Sequence, residues 1–451
     1  MSPLARVFIA NRGEIAVRII RACRELGLET VAAVSAADQD SLPAKMAERA
    51  VCIGPHAPAQ SYLNIGAIVT AALGTGCDAV HPGYGFLAER PELGRACAKH
   101  GLVLIGPKPE QIAWMGDKLS ARQTARELGI PLIPGSSMVR DVAEALSAAE
   151  SVGYPVLLKA AAGGGGKGMK TVMAPENLQT VFLEATGEAR AAFADGRLYL
   201  ERFIPNARHI EVQILADAHG QAVHLFERDC SVQRRYQKMI EEAPSPVVSP
   251  GLRAEVCQAA LRIARHIGYE SAGTVEFVLD QDRGEFYFLE MNTRIQVEHP
   301  VTEMITGLDL VQEQIRIAAG EPLGLSQEQV TISGHAIECR VNAELAEAGF
   351  RPSPGRIGQW RPPEMEGVRV DTHCLPGYTV PPFYDSLLAK VIAVGRDREG
   401  ALARMQEALH RFQVEGIDTT IPFLSSVLSH PDFLAGKIST RWLENVFCAG
   451  D

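Results

Sequence analysis

Residues 154–173 read YPVLLKAAAGGGGKGMKTVM, and the setting of the glycine run decides the fold. Gly163, Gly165 and Gly168 satisfy the pattern G-x-G-x-x-G. In a dinucleotide-binding unit that pattern follows a strand and opens a helix. Here an apolar run, Val156 to Leu158, precedes it, but Thr171-Val172-Met173 continues as a second extended segment. A Walker-type phosphate loop needs lysine directly after the second glycine of its spacing, where Met169 stands. The remaining reading is strand, glycine loop, strand. Four consecutive glycines let backbone N–H groups come close to phosphate oxygens. Lys159 before the loop and Lys167 within it suit the same anion. A flexible surface hairpin would show the glycines without needing lysines on both sides.

Upstream, short apolar runs alternate with helical periodicity. Val7–Ala10, Thr30–Val34, Ala79–Val80 and Leu102–Ile105 read as strands, and Glu14–Leu26 and Asn64–Ala72 as helices. This alternation predicts a parallel sheet wrapped by helices, an α/β doubly wound unit. The loops Asn11-Arg12-Gly13 and His81–Gly85 fall at strand ends, where such sheets bind ligands. The texture changes near residue 114, and from Gly334 the chain reads as antiparallel β, then helical at Arg398–Arg411. The expected units are 1–114, 115–334 and 335–451.

Downstream, residues 274–294 read TVEFVLDQDRGEFYFLEMNTR, two apolar-rich strands around a three-residue loop, Asp282-Arg283-Gly284. In that register Glu276 faces Glu290, with Asn292 next on the same face. Opposed carboxylates destabilise a sheet, and a divalent cation reverses the sign. Two carboxylates and an amide oxygen are hard ligands for Mg²⁺. A solvated polar face would alternate in the same way. Beyond the hairpin, Glu290, Asn292, Arg294, Gln296 and Glu298 share one side of an extended segment. The glycine loop, Glu276 and this row together favour a catalytic groove.

Of the 451 residues, 46% are hydrophobic and 22% charged, which excludes collagen-like and wholly disordered chains. A net charge of −10 argues against nucleic-acid and anionic-membrane partners. No apolar run approaches the ~18 residues of a membrane span. The nine cysteines are odd in number and lack C-x-x-C spacing, which disfavours disulfides and zinc and suits the cytoplasm.

Several segments carry a family resemblance. NRGEIAVRIIRA, HPGYGFLAE, MGDK, KAAAGGGGKGMK, ERDCSVQRRYQK, FLEMNTRIQVEHPVTEMITGLDLV, GHAIECRVNAE, RPSPGRI and GYTVPPFYDSLLAKV together resemble biotin carboxylase. That is the ATP-grasp component of biotin-dependent carboxylases. The likeness runs over roughly residues 5–445. It implies an N-terminal α/β domain, a central ATP-grasp domain with a mobile glycine-rich lid at about 132–203, and a C-terminal β-rich domain.

By the same resemblance, Lys118, Lys159, Gly165 and Gly166 bind ATP phosphates, and Glu201, Arg202, Phe203 and Ile204 form the adenine segment. His209, Gln233 and position 236 make further nucleotide contacts. Many members have histidine where Tyr236 stands, so the ribose contact there differs. Glu276, Glu290 and Asn292 align with ligands of two Mg²⁺ or Mn²⁺ ions. Lys238, Arg294, Gln296, Val297 and Glu298 align with the bicarbonate pocket, and Arg340 with the arginine meeting bicarbonate and biotin.

The reaction so implied uses ATP and bicarbonate to carboxylate biotin on a separate carrier protein. Glu298 would act as base, held by Lys238 and Arg294, and Arg340 would stabilise the biotin enolate. No Met-Lys-Met biotinyl segment and no room for a transferase are evident. The expected partners are therefore a biotin carboxyl carrier protein, carboxyltransferase subunits and a second copy of the chain. Acetyl-CoA carboxylase and fatty-acid synthesis are the expected context. A carbamoyl-phosphate-synthetase-like ligase is the nearest alternative. A nicotinamide oxidoreductase and a non-catalytic nucleotide sensor stand further off. For Arg340, the bland alternative is a surface arginine paired with Glu338 or Asp309.

Overall fold

The computed structural model describes residues 4–161, 168–193 and 195–447. Its first third is the expected parallel sheet. In spatial order the strands are Arg49–Cys52, Glu29–Val34, Arg6–Ile9, Ala79–His81 and Val103–Leu104. The edge strand Arg49–Cys52 was not legible in the sequence, because it is largely exposed and lacks an apolar run. Strand order reverses between Arg6–Ile9 and Ala79–His81, and the two expected loops meet there. The Asn11 amide donates to the carbonyls of Pro82 and Tyr84, each at 2.7 Å.

The glycine segment joins two paired antiparallel strands, with Val156 opposite Val172 and Lys159 opposite Met169. No helix follows it, in agreement with the strand–loop–strand reading. Gly163, Gly165, Gly166 and Lys167 lie outside the described residues. These strands belong to a four-stranded sheet with Leu198–Arg202 and Gly135–Val139. Helices Val142–Val152 and Pro175–Phe193 pack on it through a core that includes Ala149, Leu158, Leu178, Phe182 and Leu198.

The third layer is an eight-stranded sheet in which Glu285–Asn292, Ser271–Asp280, Ala207–Ala216, Ala222–Arg234 and Gln237–Ala243 follow one another from one edge. Along Ala207–Ala216 the odd and even positions divide. Ile210, Val212 and Ile214 pack under helix Pro250–His266, while His209, Glu211 and Gln213 turn to the opposite face. Gln237–Ala243 pairs directly with His335–Asn342, so the sheet runs unbroken past residue 334 into the last third of the chain. That places residues from both regions on one polar face.

The hairpin differs from expectation in one respect. Its turn has four residues, Gln281–Gly284, not three. The Asp280 carboxylate accepts the N–H groups of Asp282 (3.1 Å) and Arg283 (3.3 Å), a local bond that spreads the turn. A bulge between Glu276 and Phe277 then restores the register, so Glu276 still faces Glu290. No helix among the described residues is long and apolar enough to cross a membrane. The eight described cysteines are free.

Candidate active site

Between the four-stranded sheet and the polar face of the large sheet lies a cleft of about 750 Å³. Lys118, Lys159, Glu201, Arg202, Phe203 and Ile204 line one end. His209, Gln233, Tyr236, Lys238, Glu276, Glu290, Asn292 and Arg340 line the sheet side. Arg294, Gln296, Val297 and Glu298 close it. The fold thus gathers every described residue singled out from the sequence; Gly165 and Gly166 are not described.

At the end beside the four-stranded sheet, Lys159 and Arg122 both pair with the buried carboxylate of Glu201. The ammonium of Lys159 is thereby held in the cleft. Arg202 donates to the Tyr287 hydroxyl at 2.7 Å, and the Phe203 N–H to the Pro155 carbonyl at 3.0 Å. Gln233 turns its amide to the Cys230 carbonyl at 2.7 Å. Arg235 and Tyr236 have φ of +47° and +65°, both left-handed, at the tip of a hairpin. Such turns favour glycine or asparagine. Here Glu444 accepts the Arg235 N–H at 2.8 Å and holds the tip, leaving Tyr236 57% exposed at the cleft.

Glu211, Glu276 and Glu290 sit in register on three adjacent strands. Three opposed carboxylates repel one another, so cations must offset them. Lys238 contacts Glu211, Glu276 at 3.1 Å and Glu298 at 2.6 Å. Burial opposes its charge, but these carboxylates hold its pKa well above the ordinary lysine range. Arg228, fully buried, adds a 2.5 Å bond to Glu211. His209 lies 3.3 Å from Glu276. Burial works against the imidazolium, yet Glu276 prevails and raises its pKa to about 9.

The sign of the resulting pH dependence follows. The stabilisation from His209 is complete below the unfolded value of about 6.5 and is lost as pH rises through about 9. The difference in unfolding midpoint between the parent and His209→Gln should shrink from about pH 6 to about pH 10. A constant difference would show that His209 does not titrate in this window.

Glu290 is the carboxylate short of positive charge. Its nearest cation, Lys118, is 3.9 Å away. Burial, then the neighbouring Glu276, raise its pKa. Glu276 and Glu290 would together hold a divalent cation, whose charge would offset theirs. Asn292 donates to Glu276 at 2.8 Å, and its oxygen accepts from Arg294 at 3.2 Å. That oxygen has a second lone pair for a metal.

At the closed end, Glu298 accepts from Lys238 at 2.6 Å and from Arg340 at 2.8 Å. Burial disfavours its charge, but Lys238 outweighs this and keeps its pKa below the ordinary carboxylate value. Arg340 also donates to Glu241 at 2.6 Å. Neither Glu338 nor Asp309 is its partner; Asp309 pairs with Arg18 at 2.6 Å. Arg294 bonds Glu89 at 3.0 Å and Gln296 at 2.8 Å, rather than Glu298.

Glu89, Arg122, Glu211, Arg228 and Glu241 were thus missed in the sequence. Glu211 had a readable signal, lying two residues from His209 on the same strand face. Glu89 closes the motif HPGYGFLAE, but its pairing with Arg294, 205 positions away, had no signal.

Comparison with known proteins agrees with this arrangement. Residues 3–112 match the model of the biotin carboxylase N-terminal domain, and residues 338–445 that of the biotin carboxylase C-terminal domain. Residues 117–326 match the ATP-binding domain of the carbamoyl-phosphate synthase L chain. A biotin carboxylase of Nostoc sp. is 52% identical over 442 residues, 98% of this chain and 99% of that protein. One pyruvate carboxylase subunit of Methanothermobacter thermautotrophicus is 49% identical over 98% of this chain and 89% of its own.

The biotin carboxylase domain dimer of Hydrogenobacter thermophilus 2-oxoglutarate carboxylase, solved with MgADP, ADP and bicarbonate, superimposes with a TM-score of 0.93. It is 47% identical, covering 99% of this chain and 98% of that one. With biotin carboxylase domains flanking the shared ATP-binding domain, and matching relatives end to end, the chain belongs to the biotin carboxylase family of ATP-grasp ligases, which carry out the ATP-dependent carboxylation of biotin.

Proposed function

We propose that this chain, as a cytoplasmic homodimer, carboxylates biotin on a separate carrier protein for an acetyl-CoA carboxylase. It uses MgATP and bicarbonate, by way of carboxyphosphate. The observation that carries the reading is the convergence of Lys238, Arg340 and Glu298 beside the acidic row in one cleft. The dimer follows the assembly of the Hydrogenobacter relative. The acetyl-CoA acceptor is what the family resemblance of the sequence implies.

Glu276 and Glu290 would hold Mg²⁺ or Mn²⁺, which supplies charge neutralisation at the ATP phosphates. Lys118 and Lys159 bind those phosphates, and the lid sheet excludes water. Lys238 and Arg294 orient bicarbonate. Glu298, kept ionised by its cations, takes the bicarbonate proton as its oxygen attacks the γ-phosphorus. The bond to the ADP oxygen breaks, giving carboxyphosphate. Carboxyphosphate splits into CO₂ and phosphate. The phosphate removes the ureido proton, and the nitrogen attacks CO₂. Arg340 stabilises the enolate formed in between.

Free biotin, bicarbonate and MgATP given to the purified chain should release ADP in a biotin-stimulated manner. Stimulation by ammonia instead would favour the carbamoyl-phosphate type of chemistry. Carboxylation of pyruvate rather than acetyl-CoA by the chain together with its own native carrier and transferase would overturn the acceptor assignment.

A further inference from the structure

Arg340 is opposed in register by Lys390 on the neighbouring strand. Lys390 is fully buried, where an unpartnered ammonium is costly, and the adjacent guanidinium repels it. Its compensation comes from distant parts of the chain. The ammonium lies 3.1 Å from Glu14, at the start of the first helix, and 3.9 Å from Asp371. Glu14 also accepts the hydroxyl of Tyr84, which lines the cleft.

The third contact concerns the site itself. Lys390 donates to the carbonyl of Val297 at 2.9 Å. Val297 stands at the entry to helix His299–Thr306. Three residues on is Pro300, which has no N–H to give. Four residues on, the Val301 N–H goes to the Glu298 carbonyl. The local main chain thus leaves the Val297 carbonyl without these two donors, and Lys390 supplies the missing one. The peptide so anchored lies between the side chains of Gln296 and Glu298, both on the cleft wall.

We propose that Lys390 is a positioning residue for the bicarbonate site, fixing the Val297 carbonyl and through it the placement of Gln296 and Glu298. This rests on the reading of residues 296–298 as the bicarbonate pocket. Lys390 belongs to the C-terminal third and its counter-ion Glu14 to the first, so the pocket is complete only when both pack on the central sheet.

Lys390→Met alone strands the Glu14 charge, so the test compares Glu14→Gln with the double variant Glu14→Gln/Lys390→Met. Glu14→Gln controls for the loss of the glutamate, and the double variant removes both charges of the pair together with the Val297 contact. The double variant should raise the KM for bicarbonate about tenfold over Glu14→Gln, with the KM for ATP unchanged. Gln296→Ala is measured beside them as a reporter of the pocket. If Gln296→Ala raises the bicarbonate KM and the double variant does not, Lys390 has no positioning role. If neither raises it, the pocket reading itself fails and takes this inference with it. If bicarbonate and ATP KM rise together, the lysine is merely structural and the proposal is overturned.

Discussion

Replacing Arg340 by alanine is expected to slow biotin carboxylation by about a hundredfold or more while sparing slow bicarbonate-dependent ATP hydrolysis. The guanidinium is held by Glu241 at 2.6 Å and Glu298 at 2.8 Å, so its charge is fixed in position before the reaction begins. A preorganised cation of this kind acts on the charge that develops at the enolate, and its loss appears in kcat. The fold should survive. Burial already pushes the Glu241 carboxyl up to about 7 against the pull of Arg340, so without the arginine it can protonate.

Lys238→Met should behave differently. This ammonium neutralises Glu211, Glu276 and Glu298 together. Without it three buried carboxylates face one another, and both carboxylation and ATP hydrolysis should fall. The two activities measured on both variants decide the division of labour. Parent-like carboxylation by Arg340→Ala, or an identical profile for the two variants, would refute it.

Glu290→Gln should remove most activity, about a hundredfold or more at saturating Mg²⁺, with little change in thermal stability. The side chain is 39% exposed and its nearest cation is 3.9 Å away, so the apoprotein asks little of its charge. The metal-bound enzyme asks much more. Glu276→Gln should cost activity as well, but also stability, since Glu276 bonds Lys238, Asn292 and Gln296 and lies 3.3 Å from His209. Rapid turnover by Glu290→Gln would reject the metal assignment. A stability loss as large as that of Glu276→Gln would instead reveal a structural role for the charge.

What the sequence determined by itself was local. Thr171-Val172-Met173 after the glycines ruled out a helix, because extended and helical periodicities differ within a few residues. The alternation around Glu276 and Glu290 put both carboxylates on one face of a hairpin, because side chains on a strand repeat every second residue. The family's long motifs placed Lys238 and Arg340 in the same cleft.

Only the tertiary structure decided which charges meet. Glu89 reaches Arg294, Glu241 reaches Arg340, and Lys390 reaches the Val297 carbonyl. The spatial order of strands selects these partners, and spacing along the chain does not encode that order. The four-residue turn belongs here too. The Asp280 side chain lengthens it and a bulge cancels the shift, so the register at Glu276 and Glu290 is set by two opposing local irregularities that alternation does not reveal. Buried charge makes the distinction sharp: the buried ions of this cleft, such as Lys238 and Glu298, are stable only beside their counter-ions, so the packing of distant segments, and not any one of them, fixes the site.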